Sequence, residues 1–87
     1  MSNVELERSI EAILMVVDEP VTELTLASVL VVTIDEVVAA LENLSASYEG
    51  RGFELRAVAG GWRFYSHPDC ASAVEKFVLD GQQNRLT

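Results

Sequence analysis

Gly52-Phe53-Glu54-Leu55-Arg56-Ala57-Val58-Ala59-Gly60-Gly61-Trp62-Arg63-Phe64-Tyr65-Ser66 decides the fold of this chain. Two strand-like runs flank Ala59-Gly60-Gly61. A two-residue hairpin turn needs backbone at positive φ, and Gly-Gly supplies two residues free to take it. With Gly60 and Gly61 as the turn pair, Ala59 faces Trp62, Val58 faces Arg63, Ala57 faces Phe64 and Arg56 faces Tyr65. Alternation then puts Phe53, Leu55, Ala57, Phe64 and Trp62 on the core side. Glu54, Arg56, Val58, Arg63 and Tyr65 fall on the solvent side.

Helical patterns precede this hairpin. Ser2 or Asn3 caps a first helix whose stripe is Leu6, Ile10, Ile13, Leu14 and Val17. Asp18-Glu19-Pro20 ends it, because the residue before proline leaves the α region. A short second helix spans about Glu23 to Leu30, capped by Thr22, with Leu26, Val29 and Leu30 inward. Thr33-Ile34-Asp35-Glu36 matches a capping box and opens a third helix to about Tyr48. Ile34, Val37, Val38, Leu41, Leu44 and Tyr48 share one face of it. After the hairpin, Ser66 or His67 caps a last helix that starts at Pro68. Its stripe is Ala71, Val74, Phe77 and Val78. Residues 1–79 are expected to form one domain, and the polar 80–87 segment reads as a linker. Three helices, a hairpin wing and a closing helix make an α+β winged helix-turn-helix.

The chain has 87 residues, a single cysteine (Cys70) and a net charge of −8. One small domain with no internal disulfide is expected, in a reducing compartment. The apolar run at Ile10–Val17 is too short to span a bilayer and is interrupted by Glu11, so no membrane role is expected. Charge is lopsided. Residues 1–50 hold ten acids against one base, Arg8, whereas residues 51–87 hold four acids against five bases.

Catalytic chemistry finds little support. His67 precedes Pro68 at a helix start, with no nucleophile placed to suggest a triad. Cys70 lies one turn into an amphipathic helix without a partner base. One Cys and one His do not make a metal site. Asp18 with Glu19 and Asp35 with Glu36 sit at helix ends as dipole and capping charges. No enzyme activity, metal or cofactor is expected.

DNA binding is the default for this fold, with the third helix as reader. That helix offers solvent Asp35, Glu36, Glu42, Asn43, Ser45 and Glu49. No base occurs between Arg8 and Arg51. A specific binder commonly neutralises on the order of 6–10 phosphates, and an acidic helix repels a polyanion. Arg56 and Arg63 on the wing could meet a backbone, but Arg56 stacked on Tyr65 is the simpler reading. A DNA-binding regulator is therefore the alternative, and protein contact the preferred function. Met15, Val16, Val31, Val32, Val58, Trp62 and Tyr65 are the apolar groups left uncovered, and form the candidate interface. Trp62 is either its anchor or a side chain folded over the domain edge.

The order Glu19-Pro20, Val21-Thr22, Leu26-Ala27, Leu30-x-Val32-Thr33, Val37, Leu41-Glu42-Asn43-Leu44 continues with Tyr48-Glu49-x-Arg51-Gly52-Phe53-Glu54-Leu55. Val58-Ala59-Gly60-Gly61-Trp62-Arg63-Phe64 and His67-Pro68-Asp69 complete it. This pattern resembles the amino-terminal winged helix of bacterial segregation and condensation protein B. Val31 stands where that family usually has glycine, and valine disfavours positive φ, so a differently wound turn is expected there. The resemblance implies a second winged helix beyond a linker at 80–87. It also implies a homodimer and a kleisin partner, segregation and condensation protein A, which bridges an SMC ATPase. That work is chromosome condensation and partition during the cell cycle and cell division, in the cytoplasm at the nucleoid.

Overall fold

The computed structural model describes residues 1–84, with side chains to Gly81. Three helices come first: α1 (Asn3–Val16), α2 (Glu23–Leu30) and α3 (Ile34–Ser47). Strands β1 (Phe53–Val58) and β2 (Gly61–Ser66) form an antiparallel pair. A 3-10 turn at Pro68–Cys70 leads into α4 (Ala71–Asn84). This is the order of a winged helix.

Local sequence sets each helix start. The hydroxyls of Ser2, Thr22 and Thr33 accept from the backbone N–H of Glu5, Thr25 and Glu36. Thr33 and Glu36 form the reciprocal capping box, which satisfies two otherwise orphaned donors. His67 caps the 3-10 turn, its Nδ1 accepting from Asp69 N–H.

The core is wholly apolar. Leu6, Ile10 and Leu14 of α1 meet Leu26 and Ala27 of α2, Val37, Ala40, Leu41 and Leu44 of α3, and Leu55 of β1. In α2 and α3 two side chains expected inward are exposed: Val29 and Ile34. In α2 the buried pair is Leu26 and Ala27, which rotates the inner face away from Val29. Ile34 is the first residue of α3, before that helix reaches the others.

The wing slips by two residues from the expected register. Ala57, expected on the core side, is exposed, whereas Val58, expected on the solvent side, is half-buried. Val58 pairs with Gly61, Ala57 with Trp62, Leu55 with Phe64 and Glu54 with Tyr65. Ala59 and Gly60 are therefore the turn residues. Gly60 takes φ 92°, which suits the second central position of a type II turn. Gly61 (φ 131°) serves another purpose. A Cβ there would overlap the Val21 carbonyl. The Val21 N–H donates to Trp62 O at 2.9 Å and the Trp62 N–H to Val21 O at 2.7 Å. The α1–α2 connection is thereby stitched to the edge of β2.

The α2–α3 corner also differs from expectation. Val31 adopts the left-handed region itself, at φ 57°, ψ 51°. Its N–H and that of Val32 both reach back to Ala27 O, so the turn is wound as a glycine would wind it. The helix end needs that conformation to satisfy its carbonyls, and an open corner gives the side chain room, with Val31 88% exposed.

Helix α4 does not close over the core. Every residue from Ala71 to Asp80 is exposed, and its substantial contacts are with the 3-10 turn that precedes it. The described chain is accordingly elongated, 49 × 25 × 24 Å. Helix continues past Asp80 to Asn84, since one glycine costs a helix only about 1 kcal/mol. The 80–84 part of the expected linker is thus helical, and Arg85, Leu86 and Thr87 lie outside the described residues.

Gly61→Ala should destabilise the fold by about 2 kcal/mol or more, from the clash with Val21 and the positive φ. Val31→Gly should stabilise it by about 0.5–1 kcal/mol, because relief of left-handed strain exceeds the added unfolded-state entropy. Urea unfolding of the two variants measures both, and a neutral Gly61→Ala would refute the close approach.

Candidate protein-interaction face

An apolar groove runs between the C-terminal half of α1 and the wing. Its larger part, about 460 Å³, is lined by Leu14, Met15, Val17, Phe53, Arg63, Phe64 and Tyr65, among others. A second part of about 300 Å³ adds Glu11, Ala12 and Tyr48, and shares Met15, Phe53 and Phe64 with the first. The alternation of β1 and β2 turns Phe53 and Phe64 to this side. Met15 reaches it because α1 is apolar on a second face beyond its core stripe.

Three aromatic rings shape the floor. Tyr48, Phe53 and Phe64 pack with centroids 4.7–5.7 Å apart and tilted or edge-to-face planes, the arrangement aromatic quadrupoles favour. The Tyr48 hydroxyl donates to the Glu11 carboxylate. Burial first, then that hydrogen bond and the charges of Glu11 and Glu7, push the Tyr48 pKa well above its ordinary value. At neutral pH Tyr48 is therefore a neutral donor, and it holds Glu11 at the end of the groove.

The candidate interface residues do not form one patch. Met15 and Tyr65 meet in the groove. Val16 is exposed at the end of α1, and Val31 stands at the α2–α3 corner. Val32 packs on the core, as does Trp62. The Trp62 indole N–H donates to Glu23 at 3.2 Å, so this side chain folds over the domain edge. Val58 is half-buried beside the wing turn. Sequence reasoning missed Phe53 and Phe64 as groove residues, having placed both in the core. Phe53 is 39% exposed: it is the first residue of β1, paired with Ser66 at the end of β2, and alternation gives a side chain's face but not how far the core extends along the strand. It also missed the uncovered stripe of α4, where Val74, Phe77, Val78 and Leu79 are exposed.

The surface charge is as expected. Asp35, Glu36, Glu42 and Glu49 are exposed along and just beyond α3. On the wing, the Arg56 and Arg63 guanidinium carbons lie 5.4 and 5.7 Å from the Tyr65 ring centre, so both cations stack on it. Among the described residues no group of three or more His, Cys, Asp or Glu could hold a metal ion. No single described helix is long and apolar enough to cross a membrane.

Residues 8–87 match the family model described as segregation and condensation complex subunit ScpB. A segregation and condensation protein B from Halalkalibacterium halodurans is 40% identical over 86 residues, covering 95% of this chain and 44% of that protein. The chain thus spans less than half the length of that relative. The crystal structure of ScpB from Mycobacterium tuberculosis is similar with a TM-score of 0.90 and 37% identity, over 94% of this chain and 52% of that one. A crystal structure described as a dimer of the ScpB N-terminal domain complexed with ScpA peptide is similar at TM-score 0.76 and 27% identity. It covers 82% of this chain and 88% of that one.

The Tyr48–Glu11 contact gives the groove a pH signature. A pKa raised in the folded state means the protonated phenol favours folding. That contribution is whole below the ordinary value of 10.0 and is lost as pH rises above it. Melting temperatures should therefore fall more steeply above about pH 10 for the wild type than for Tyr48→Phe. Parallel profiles for the two proteins would rule Tyr48 out as the responsible group.

Proposed function

Because the chain belongs to the segregation and condensation complex subunit ScpB family, we propose that it is a non-enzymatic interaction module of the SMC–kleisin machinery that condenses and partitions chromosomes. In this role it pairs with a second copy of itself and contacts the kleisin ScpA, reaching the SMC ATPase only through that kleisin. It works in the cytoplasm at the nucleoid. The 80–87 segment then leads towards a second winged helix.

The observation that carries this reading is the charge of α3. In a DNA-reading winged helix this element enters the major groove. Here it exposes Asp35, Glu36 and Glu42, and no Lys or Arg lies between Arg8 and Arg51 to offset them. The cations of the wing are engaged with Tyr65. Support for the dimer and the ScpA contact comes from the related N-terminal domain whose structure is described in those terms.

Two titrations test the proposal. Duplex DNA at low salt should bind negligibly, whereas a ScpA peptide should bind measurably by calorimetry. DNA affinity with a steep salt dependence would instead favour a DNA-binding regulator. Light scattering should report a dimer at high micromolar chain concentration.

A further inference from the structure

The α2–α3 corner presents apolar side chains to solvent. Residues 24–34 carry no charge, and within them Val29, Val31 and Ile34 are exposed. Val31 is the sharpest case, 88% exposed on left-handed backbone at φ 57°. That conformation is an outlier for a β-branched residue and free for glycine. The fold itself gains nothing from a valine here. Strain of this kind persists where a side chain serves something beyond the fold.

The corner leads into a notch between α3 and the start of α1. Glu36, Ala39, Ala40 and Asn43 follow the i, i+3, i+4, i+7 spacing of one helix face, and with Leu6 and Glu7 they line it. Its volume is about 130 Å³, small against the ~300–1,000 Å³ of a small-molecule site, so it suits a single side chain. The lining combines buried apolar residues, Leu6 and Ala40, with two oriented carboxylates. Glu7 accepts from Asn43 Nδ2 at 3.4 Å. Glu36 Oε1 accepts from the Thr33 N–H and hydroxyl, which leaves Oε2 for another donor. Among the described residues neither carboxylate is in an ion pair, since the one such contact joins His67 and Asp69.

We propose that this face, from Val31 along α3 to Glu7, docks a cationic amphipathic segment of a partner protein, with a Lys or Arg in the notch and an apolar side chain at the corner. The inference adds a partner class to the reading above and depends on neither the dimer nor ScpA. Charge selects the occupant. Residues 1–50 hold ten acids against one base, so a second copy presenting the same face is repelled, as are nucleic acid and anionic lipid. Lys and Arg lay an aliphatic stem along apolar surface and keep the charged head at its edge. Leu6 and Ala40 beside Glu7 and Glu36 offer that combination. The uncharged corner next to the notch calls for an apolar neighbour to the cation, as in helices that dock by an apolar stripe.

Titrating the 87-residue chain with three synthetic helical peptides, read by amide chemical shifts, tests this docking. One carries a leucine stripe flanked by lysines, a second the same stripe flanked by glutamates, and a third the lysines with serine replacing leucine. The first should bind, with shifts gathered at Val31, Ile34, the outer face of α3 and the first turn of α1. The second should not bind, and the third should bind at least about tenfold more weakly. Val31→Asn removes the apolar side chain with a residue that suits left-handed backbone. Glu7→Gln combined with Glu36→Gln removes both charges but keeps an acceptor for Asn43 and a capping box. Each variant should keep its helix content by circular dichroism and lose about tenfold in affinity for the first peptide. Failure of the first peptide to bind would overturn the proposal. So would undiminished binding by the double variant, equal affinity for the first and third peptides, or shifts centred on Phe53 and Phe64.

Discussion

The backbone contact between Val21 and the first residues of β2 governs the layout of this domain. Two hydrogen bonds tie the α1–α2 connection to Trp62, and Gly61 alone leaves room for them. A two-stranded hairpin is marginal by itself in water. Here it is held at one edge by Val21 and on one face by Leu55, which sits in the core. With the hairpin fixed in that position, β1 and β2 present Phe53 and Phe64 across from α1, and the groove follows. The Trp62 indole packs on the core and is anchored by Glu23.

The core that results is small and free of buried polar groups among the described residues. Three helices and one strand side chain complete it. Among the apolar groups the helices leave uncovered, Met15, Phe53 and the Tyr48 ring gather along one groove. A domain of this length buries only a modest share of its surface. It then has apolar area left for a partner without any loss to its own core. The Tyr48, Phe53 and Phe64 rings pack against one another there, and side chains already ordered lose less entropy when something docks.

Much of this was legible in the sequence, and the failures share a cause. The Thr33–Glu36 box, the α3 stripe around Leu41 and the alternation of Leu55 and Phe64 are local signals, and local geometry honours them. The hairpin register was misplaced because Gly60-Gly61 looks like a turn pair, while Gly61 answers to Val21, forty residues earlier. Valine at position 31 argued against a left-handed turn, yet the helix end imposed one. The stripe on α4 is apolar, as its spacing predicts, yet the helix expected to close the domain leaves that stripe exposed. Periodicity reports that a face wants burial, and it is silent on which chain provides the cover. The Trp62 alternatives were separable only by seeing Glu23 within reach of the indole.

The acidic skin of the helical half has a further consequence. Fixed negative charge gathers a cloud of small cations, with a thickness near the ~8 Å Debye length of physiological solution. Bringing two such bodies together squeezes their clouds, so added electrolyte eases the approach. A cationic ligand meets the reverse situation, since the same ions compete for its place. The ionic atmosphere around Asp35, Glu36 and Glu42 thus acts as a filter on which neighbours this domain meets most readily.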